Sequence, residues 1–308
     1  MSAEKRTSLL EHELRAVTDD SRLEVRPWRS GVDFWADLAW QGDEIAGVVR
    51  SPRHETLDTT YEGVVDFGRI MAKETVVLGL MAERGVPVPA VLAWRERSHP
   101  DGVSWMLCEY VEHEPDAELT EELQWQLGQY AHHIHTIEPG AAELRLGVSW
   151  ADYVVGRLGD RLDAAARYCA PLATPAVLRR AAEVAQGRSA HAVSLLHLDL
   201  RATNVCVHEG RIAAVIDVAN AIVGDPLFEL ARIRSYGLLT ESFCKGYGIS
   251  ADEVDRYGAA LDVYEVDTAA LLTTVAAEEI HDDELLATSR TRLEELCRRI
   301  ALQDAAVR

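Results

Sequence analysis

Between residues 195 and 231, LLHLDLRATNVCVHEGRIAAVIDVANAIVGDPLFELA, the polar side chains His197, Asp199, Asn204 and Asp217 interrupt an otherwise apolar stretch. Two runs rich in β-branched residues flank Glu209-Gly210, a dipeptide suited to a tight hairpin turn. Asp199 and Asn204 then stand at the entry to the first strand, and Asp217 closes the second after IAAVI. Residues at strand ends face whatever the loops enclose. Two carboxylates and an amide carbonyl gathered by one hairpin make a hard-oxygen site suited to Mg2+, which takes few protein ligands and leaves room for substrate phosphates. No cysteine pair joins them, which argues against zinc. Such a site serves phosphoryl transfer, where placement and charge neutralisation matter more than covalent chemistry.

HLDLRATN, followed by Asp217 at 18 positions after Asp199 and then by GDPLFELA, resembles the aminoglycoside phosphotransferase family, which shares the protein-kinase-like fold. The resemblance implies a two-lobed α+β architecture. Residues 1–112 would form a nucleotide-binding lobe, a small antiparallel sheet with one main helix; residues 113–308 would form a larger, mostly helical lobe with the catalytic hairpin and the acceptor site. It also implies that Asp199 aims the acceptor hydroxyl, that Asn204 and Asp217 hold Mg2+, and that ATP or GTP is the donor. His197 would be a structural anchor, Asp225 would brace the backbone of the catalytic loop, and Arg201 would contact phosphate. Two positions depart from the family pattern: Leu198 stands where most relatives have Gly, and Val218 where many have Trp.

The elements that must position this hairpin follow from periodicity. Residues 4–18 read as a helix packed on the first lobe, with Leu9, Leu10, Leu14 and Val17 at helical spacing. LEVRPW, FWADLAW and EIAGVVR read as a three-strand meander joined by RSGVD and QGD. In a kinase-like lobe the first turn covers the nucleotide phosphates, which marks Ser30 and Gly31 as nucleotide contacts. The third strand should present a lysine, yet the chain has only Lys5, Lys73 and Lys245, and Arg50 occupies that place. Arg can grip phosphate bidentately but is bulkier than Lys. Residues 65–84 read as a helix carrying Glu74, which the resemblance pairs with Arg50; Lys73 next to it points about 100° around the helix. SWMLCEYVE closes the sheet and leads to a hinge where the backbone of Glu109 to Val111 would meet a purine edge. Residues 120–137 read as the long helix of the second lobe, and residues 150–187 and everything after Gly224 as further helices. The cluster His132, His133 and His135 lacks an acidic or cysteine partner in register and is read as structural.

The net charge of -20 argues against nucleic-acid backbones and anionic membranes as partners. Residues 109–122 carry seven acidic and no basic residues, and residues 251–284 eleven acidic against one Arg. Together they account for -17 of the -20. Such runs are either solvated helix faces or the walls of a cleft that attracts cations. By resemblance these segments flank the acceptor site, so Asp262, Glu265, Asp267 and Glu279 are candidates for reading the amines of a small cationic acceptor such as an aminoglycoside or another antibiotic. With 48% hydrophobic residues the chain can bury a large core, and it holds no uninterrupted apolar run of about 18 residues. Its first twenty residues lack a signal-peptide core, and a cytoplasmic location is the expectation. The five cysteines lack metal or redox spacing and read as reduced thiols. Two alternatives share the motifs: a metabolic kinase acting on choline, a sugar or an amino alcohol, and a catalytically silent nucleotide-binding protein of the same fold.

Overall fold

The computed structural model describes residues 3–97, 99, 102–140, 144 and 146–307. It begins with α1 (Ala3–Thr18) and the meander β1 (Leu23–Ser30), β2 (Phe34–Gln41) and β3 (Glu44–Pro52). A separate hairpin follows, β4 (Thr56–Thr59) and β5 (Gly63–Asp66), and then α2 (Phe67–Glu83). β6 (Val91–Arg95) and β7 (Trp105–Cys108) return to the sheet, whose order is β1-β2-β3-β7-β6 and whose pairs are all antiparallel. Alternation along these strands divides the sheet between two layers. One face packs Leu23, Val25, Ala39, Val49 and Trp105 against Leu10 and Leu14 of α1. The other meets α2, where Phe34 and Phe67 pack edge to face at 5.5 Å. The helix 65–84 starts at Phe67 because Val64 and Val65 belong to β5, and the Asp66 side chain caps it by accepting from Arg69 N at 3.1 Å.

The remainder is mostly helical. α3 (Glu121–His135) is capped by Thr120 and α4 (Trp150–Ala165) by Ser149; α5 (Thr174–Arg188) carries a proline in its first turn. Three short hairpin pieces and an added strand follow: β8 (Ser194–Leu196), β9 (Val205–His208), β10 (Arg211–Val215) and β11 (Ile222–Gly224), with β9 paired to β10 and β11 folding back antiparallel on β8. The chain ends in α6 (Pro226–Ser235), α7 (Glu241–Tyr247), α8 (Ala251–Arg256), α9 (Gly258–Glu278) and α10 (Asp283–Val307). α9 is buried nearly all round, with Leu261, Tyr264 and Val266 in the main core. Residues 251–284 are therefore no continuous solvated acidic face. No helix among the described residues is long and apolar enough to cross a membrane.

Candidate active site

The β9–β10 turn places Glu209 and Gly210 at φ 49° and 71°, the left-handed pair that a two-residue hairpin turn requires. This hairpin, β8 and β11 together carry the loop 197–204. His197 is fully buried: its Nδ1 accepts from Asp199 N at 3.1 Å, so Nε2 carries the proton and donates to Ile216 O at 3.1 Å. The anchor thus ties the loop to the strand that delivers Asp217. Leu198 adopts φ 60°, a region that favours glycine, which accounts for the family's usual Gly. Its N–H and that of His197 donate to Glu229 at 2.7 and 2.9 Å. Glu229, and not Asp225, therefore braces the loop 197–204. Asp225 instead caps α6 through Leu227 N, takes a bidentate pair from Arg188 at 2.8 and 2.8 Å, and accepts from Tyr264. The reason is placement: Asp225 lies one residue before α6, whereas Glu229 points back from its first turn to the loop.

The Asp199 carboxylate is surrounded by donors. Oδ1 accepts from Tyr236 OH at 2.8 Å and lies 3.4 Å from Arg232 Nη2; Oδ2 accepts from Asn204 Nδ2 at 2.7 Å and lies 3.2 Å from Arg201 Nε. Burial alone would push this carboxyl up, but Arg232, Arg201 and Tyr236 outweigh it and hold it below the usual carboxylate range. Arg201 is thus engaged by Asp199, with its side chain 46% exposed. Asn204 also donates to Asp199 O at 2.9 Å, which turns its amide oxygen away from Asp199. Asp217 sits in a left-handed conformation (φ 64°), directly after Ile216, whose N–H donates to Asn204 O at 3.0 Å. Arg50 bridges to it across the cleft, 2.8 Å from Glu74 Oε1 and 3.2 Å from Asp217 Oδ1. Glu74 is fully buried, and burial raises its pKa despite Arg50; its second oxygen has no partner. Lys73 faces elsewhere, donating to Ala221 O at 3.0 Å. No group of three His, Cys, Asp or Glu side chains able to hold a metal occurs among the described residues. His135 is bonded to Tyr247 and Glu229.

Ser30 and Gly31 line a cleft of about 580 Å3, together with Asp33, Asp58, Glu278 and Glu279. Arg53 donates to Gly31 O at 3.1 Å. The carboxyl of Asp33 is raised to about 6, first by burial and then by Glu279, Asp217 and Glu62. At the hinge, Glu109 N–H donates to Ala90 O at 2.8 Å and Val111 O lies 2.9 Å from His113 Nδ1, so these two groups already have partners within the chain. Of the acidic candidates, Asp262 is paired with Arg234 and Arg299, Glu265 with Arg234 and Arg292, and Asp267 with Arg157 and Arg161. Buried carboxylates need such partners, and these three are not free to meet an acceptor's amines. Glu279 alone of the four lines the cleft, where Tyr61 OH donates to it. Arg232, Tyr236 and Glu229 escaped the sequence reading. Arg232 and Tyr236 stand four apart in the segment read as a helix, a spacing that puts them on one face, and that was the only trace they left.

The model of the phosphotransferase enzyme family matches residues 25–266. No curated protein sequence matches the chain at a significant level. Among solved structures, an aminoglycoside phosphotransferase APH(4)-Ia thermostable mutant, in ternary complex with ADP and hygromycin B, matches with TM-score 0.62 and 16% identity, over 94% of this chain and 98% of that one. A Haemophilus somnus 129PT protein provisionally named a fructosamine-3-kinase matches with TM-score 0.67 and 13% identity, over 95% and 98%. The GDP complex of aminoglycoside 2'-phosphotransferase-IIIa matches with TM-score 0.62 and 15% identity, over 95% and 99%. These likenesses establish the expected kinase-like fold. With the family model running from β1 through the β9–β10 hairpin and into the first half of α9, the chain belongs to the phosphotransferase enzyme family.

Proposed function

We propose that this chain moves the γ-phosphate of ATP or GTP onto a hydroxyl of a small, amine-bearing molecule. The observation that carries the reading is the convergence of Asp199, Asn204 and Asp217 on one hairpin, with Arg50 held toward Asp217 by the buried Glu74. In it, Asp199 aims the acceptor hydroxyl and receives its proton as the acceptor oxygen bonds to the γ-phosphorus and the bond from that phosphorus to the β-phosphate oxygen breaks, releasing ADP or GDP. Its low proton affinity makes orientation its larger contribution. The Asn204 amide oxygen and the Asp217 carboxylate form an all-oxygen donor pair that fits Mg2+, which prefers one or two protein ligands beside phosphate oxygens. When bound there, Mg2+ neutralises charge on the phosphates. Arg50 takes the place of the phosphate-binding lysine, and Ser30 and Gly31 cover the phosphates. Residues 1–112 bind the nucleotide, with the hinge groups of 109–111 left unbonded by the chain facing its base; residues 113–308 bind the acceptor. Arg201, more exposed than its partner, can turn from Asp199 to the transferred phosphoryl group.

The amine on the acceptor is supported by the acidic lining of the cleft, Asp33, Asp58, Glu278 and Glu279. Hygromycin B, bound to one structural neighbour, and the fructosamine kinase name of another are both consistent with amine-bearing hydroxylated acceptors. On this reading the protein acts in the cytoplasm, in antibiotic resistance or self-protection; a metabolic role on a sugar amine is the second reading, favoured by that kinase neighbour. The test is a Mg2+-dependent transfer screen with ATP and GTP against aminoglycosides, peptide antibiotics and sugar amines, with product mass as readout. Phosphorylated product that is lost with Asp199→Asn supports the reading. Tight nucleotide binding without transfer to any acceptor would point to a silent binding protein.

A further inference from the structure

Beyond its contact with Asp199, Arg232 belongs to a charged group with Arg157 and Arg161. Arg157 and Arg161 project from α4 one turn apart, and Arg232 projects from α6. Arg161 is fully buried; its Nη1 is 2.6 Å from Asp267 Oδ2 and its Nη2 2.5 Å from Glu62 Oε1, while Nε has no partner. Arg157 holds the other Asp267 oxygen through Nε at 2.9 Å, and its Nη1 lies 3.6 Å from Glu62 Oε1. Arg232, 5% exposed, reaches Asp199 through Nη2, and its Nη1 is buried without a partner.

These three guanidinium groups face three carboxylates, Asp267, Asp199 and Glu62. Asp267 and Asp199 are buried parts of the helical region. Glu62 is foreign to it. It sits at the tip of the β4–β5 hairpin, next to Thr60 and Tyr61 of the cleft wall, and keeps 32% of its side chain exposed. Burial alone would raise its pKa, but Arg161 and Arg157 outweigh that and hold it low. Its neighbours Thr60 and Tyr61 bond to Glu278 and Glu279, so the tip is held across the cleft by side chains only. Without Glu62 the buried cluster would be short of one negative charge, a costly arrangement in a place shielded from water. A carboxylate belongs there, and Arg232, whose charge acts on Glu62, joins the place to Asp199.

We propose that Arg157, Arg161 and Arg232 form an acceptor subsite for a carboxylate, and that Glu62 occupies it until the acceptor's own carboxylate displaces the hairpin tip. This deepens and rests on the phosphotransfer reading. The acceptor is then a hydroxylated zwitterion, its amine toward Asp33 and Glu279 and its carboxylate on the arginines. A phosphate monoester would bring close to two charges, one more than the cluster lacks, whereas a carboxylate matches.

The direct test needs no turnover. Glu62→Ala removes the stand-in, and propionate supplies the lost carboxylate on a short alkyl chain. Thermal unfolding of the full chain is followed with propionate, with the neutral isostere propionamide and with inorganic phosphate, since a ligand of the folded state raises the melting temperature. Propionate should stabilise Glu62→Ala with an apparent affinity at least about tenfold above that for wild type or for propionamide, the loss expected when a charged hydrogen-bonding group is removed. Arg161→Lys in the same background should weaken the response about tenfold, because the forked donor is lost. Equal responses to propionate and propionamide, or of wild type and variant, would show Glu62 to be a structural tie only; a stronger response to phosphate would overturn the choice of carboxylate. Should Glu62→Ala not fold, Glu62→Gln, which keeps the hairpin's shape, takes its place. A second arm compares hydroxy amino acids with their carboxamides as acceptors. The acids should be favoured at least about tenfold in kcat/KM, and carboxamides used equally well would defeat the subsite while leaving phosphotransfer standing. If nothing is phosphorylated, the phosphotransfer reading fails and the propionate arm still decides the subsite.

Discussion

Leu198 shows how a side chain can override a backbone preference. A left-handed conformation costs an L-residue roughly 1–2 kcal/mol, and glycine would relieve it. The Leu198 side chain, however, is fully buried in the main core, and deleting a buried leucine costs about 2–5 kcal/mol. The second quantity is larger, so Leu198→Gly should destabilise the protein by about 1–3 kcal/mol by chemical denaturation; a gain in stability would mean that backbone strain dominates. One residue on, Asp199→Asn should lower transfer by roughly 10²–10⁴-fold while leaving nucleotide affinity, read by direct titration, nearly unchanged. Because Asp199 lies below its ordinary value in the folded chain, its contribution to stability is present above the unfolded value of 3.8 and is lost as pH falls through the folded pKa. Tyr236→Phe removes one of the groups that lowers it and should move acid unfolding to higher pH, measured as the midpoint of an acid titration. Asp199, Asn204 and Asp217 were legible because polar side chains stand out in an apolar hairpin. Arg232 and Tyr236 were not, since on a helix with an apolar core face they look like any surface pair; only the fold shows that this face meets Asp199.

At the scale of elements, α3 and α7 approach so closely that two glycines set their spacing. A Cβ on Gly246 would lie 2.0 Å from Trp125 O, and one on Gly128 2.2 Å from Phe243 O. Both obstacles are backbone, which cannot swing aside. Gly246→Ala should therefore destabilise by about 1–3 kcal/mol or more, and because α3 carries His135, a partner of the loop-bracing Glu229, it should also lower transfer; a melting temperature equal to wild type would refute the packing argument. Long periodic elements of this kind were readable from the sequence: α1, the meander, α2 and α3 fall within a few residues of their expected bounds. The β4–β5 hairpin was not. TLDT and GVVD are four residues each, too short for periodicity to register, and the turn between them lacks a strong dipeptide signal. That omission matters because the hairpin brings Glu62 to the arginines. The role of Asp225 was misassigned for a related reason: a sequence places Asp225 and Glu229 in one scaffold segment but does not say which carboxylate turns toward the loop.

Across the whole molecule, charge acts in two ways that the sequence cannot separate. The acidic run 251–284 contributes -10 by count, but Asp262, Glu265 and Asp267 are neutralised by arginines of α4, α6 and α10 that lie far away in sequence. The remaining excess is exposed, and the net -20 repels itself. Salt should separate the two populations. Between about 0.01 M and about 0.15 M the Debye length shrinks from roughly 30 Å to roughly 8 Å, which screens exposed charges well and buried pairs much less. Exposed ion pairs such as Arg26–Glu24 are each worth at most about 1 kcal/mol, so weakening them offsets little of the relief from self-repulsion. The melting temperature should therefore rise over that range, by about 2–4 °C for each kcal/mol of repulsion removed in a chain of this size class. A fall with added salt would mean that attraction within exposed pairs outweighs the self-repulsion of the net charge.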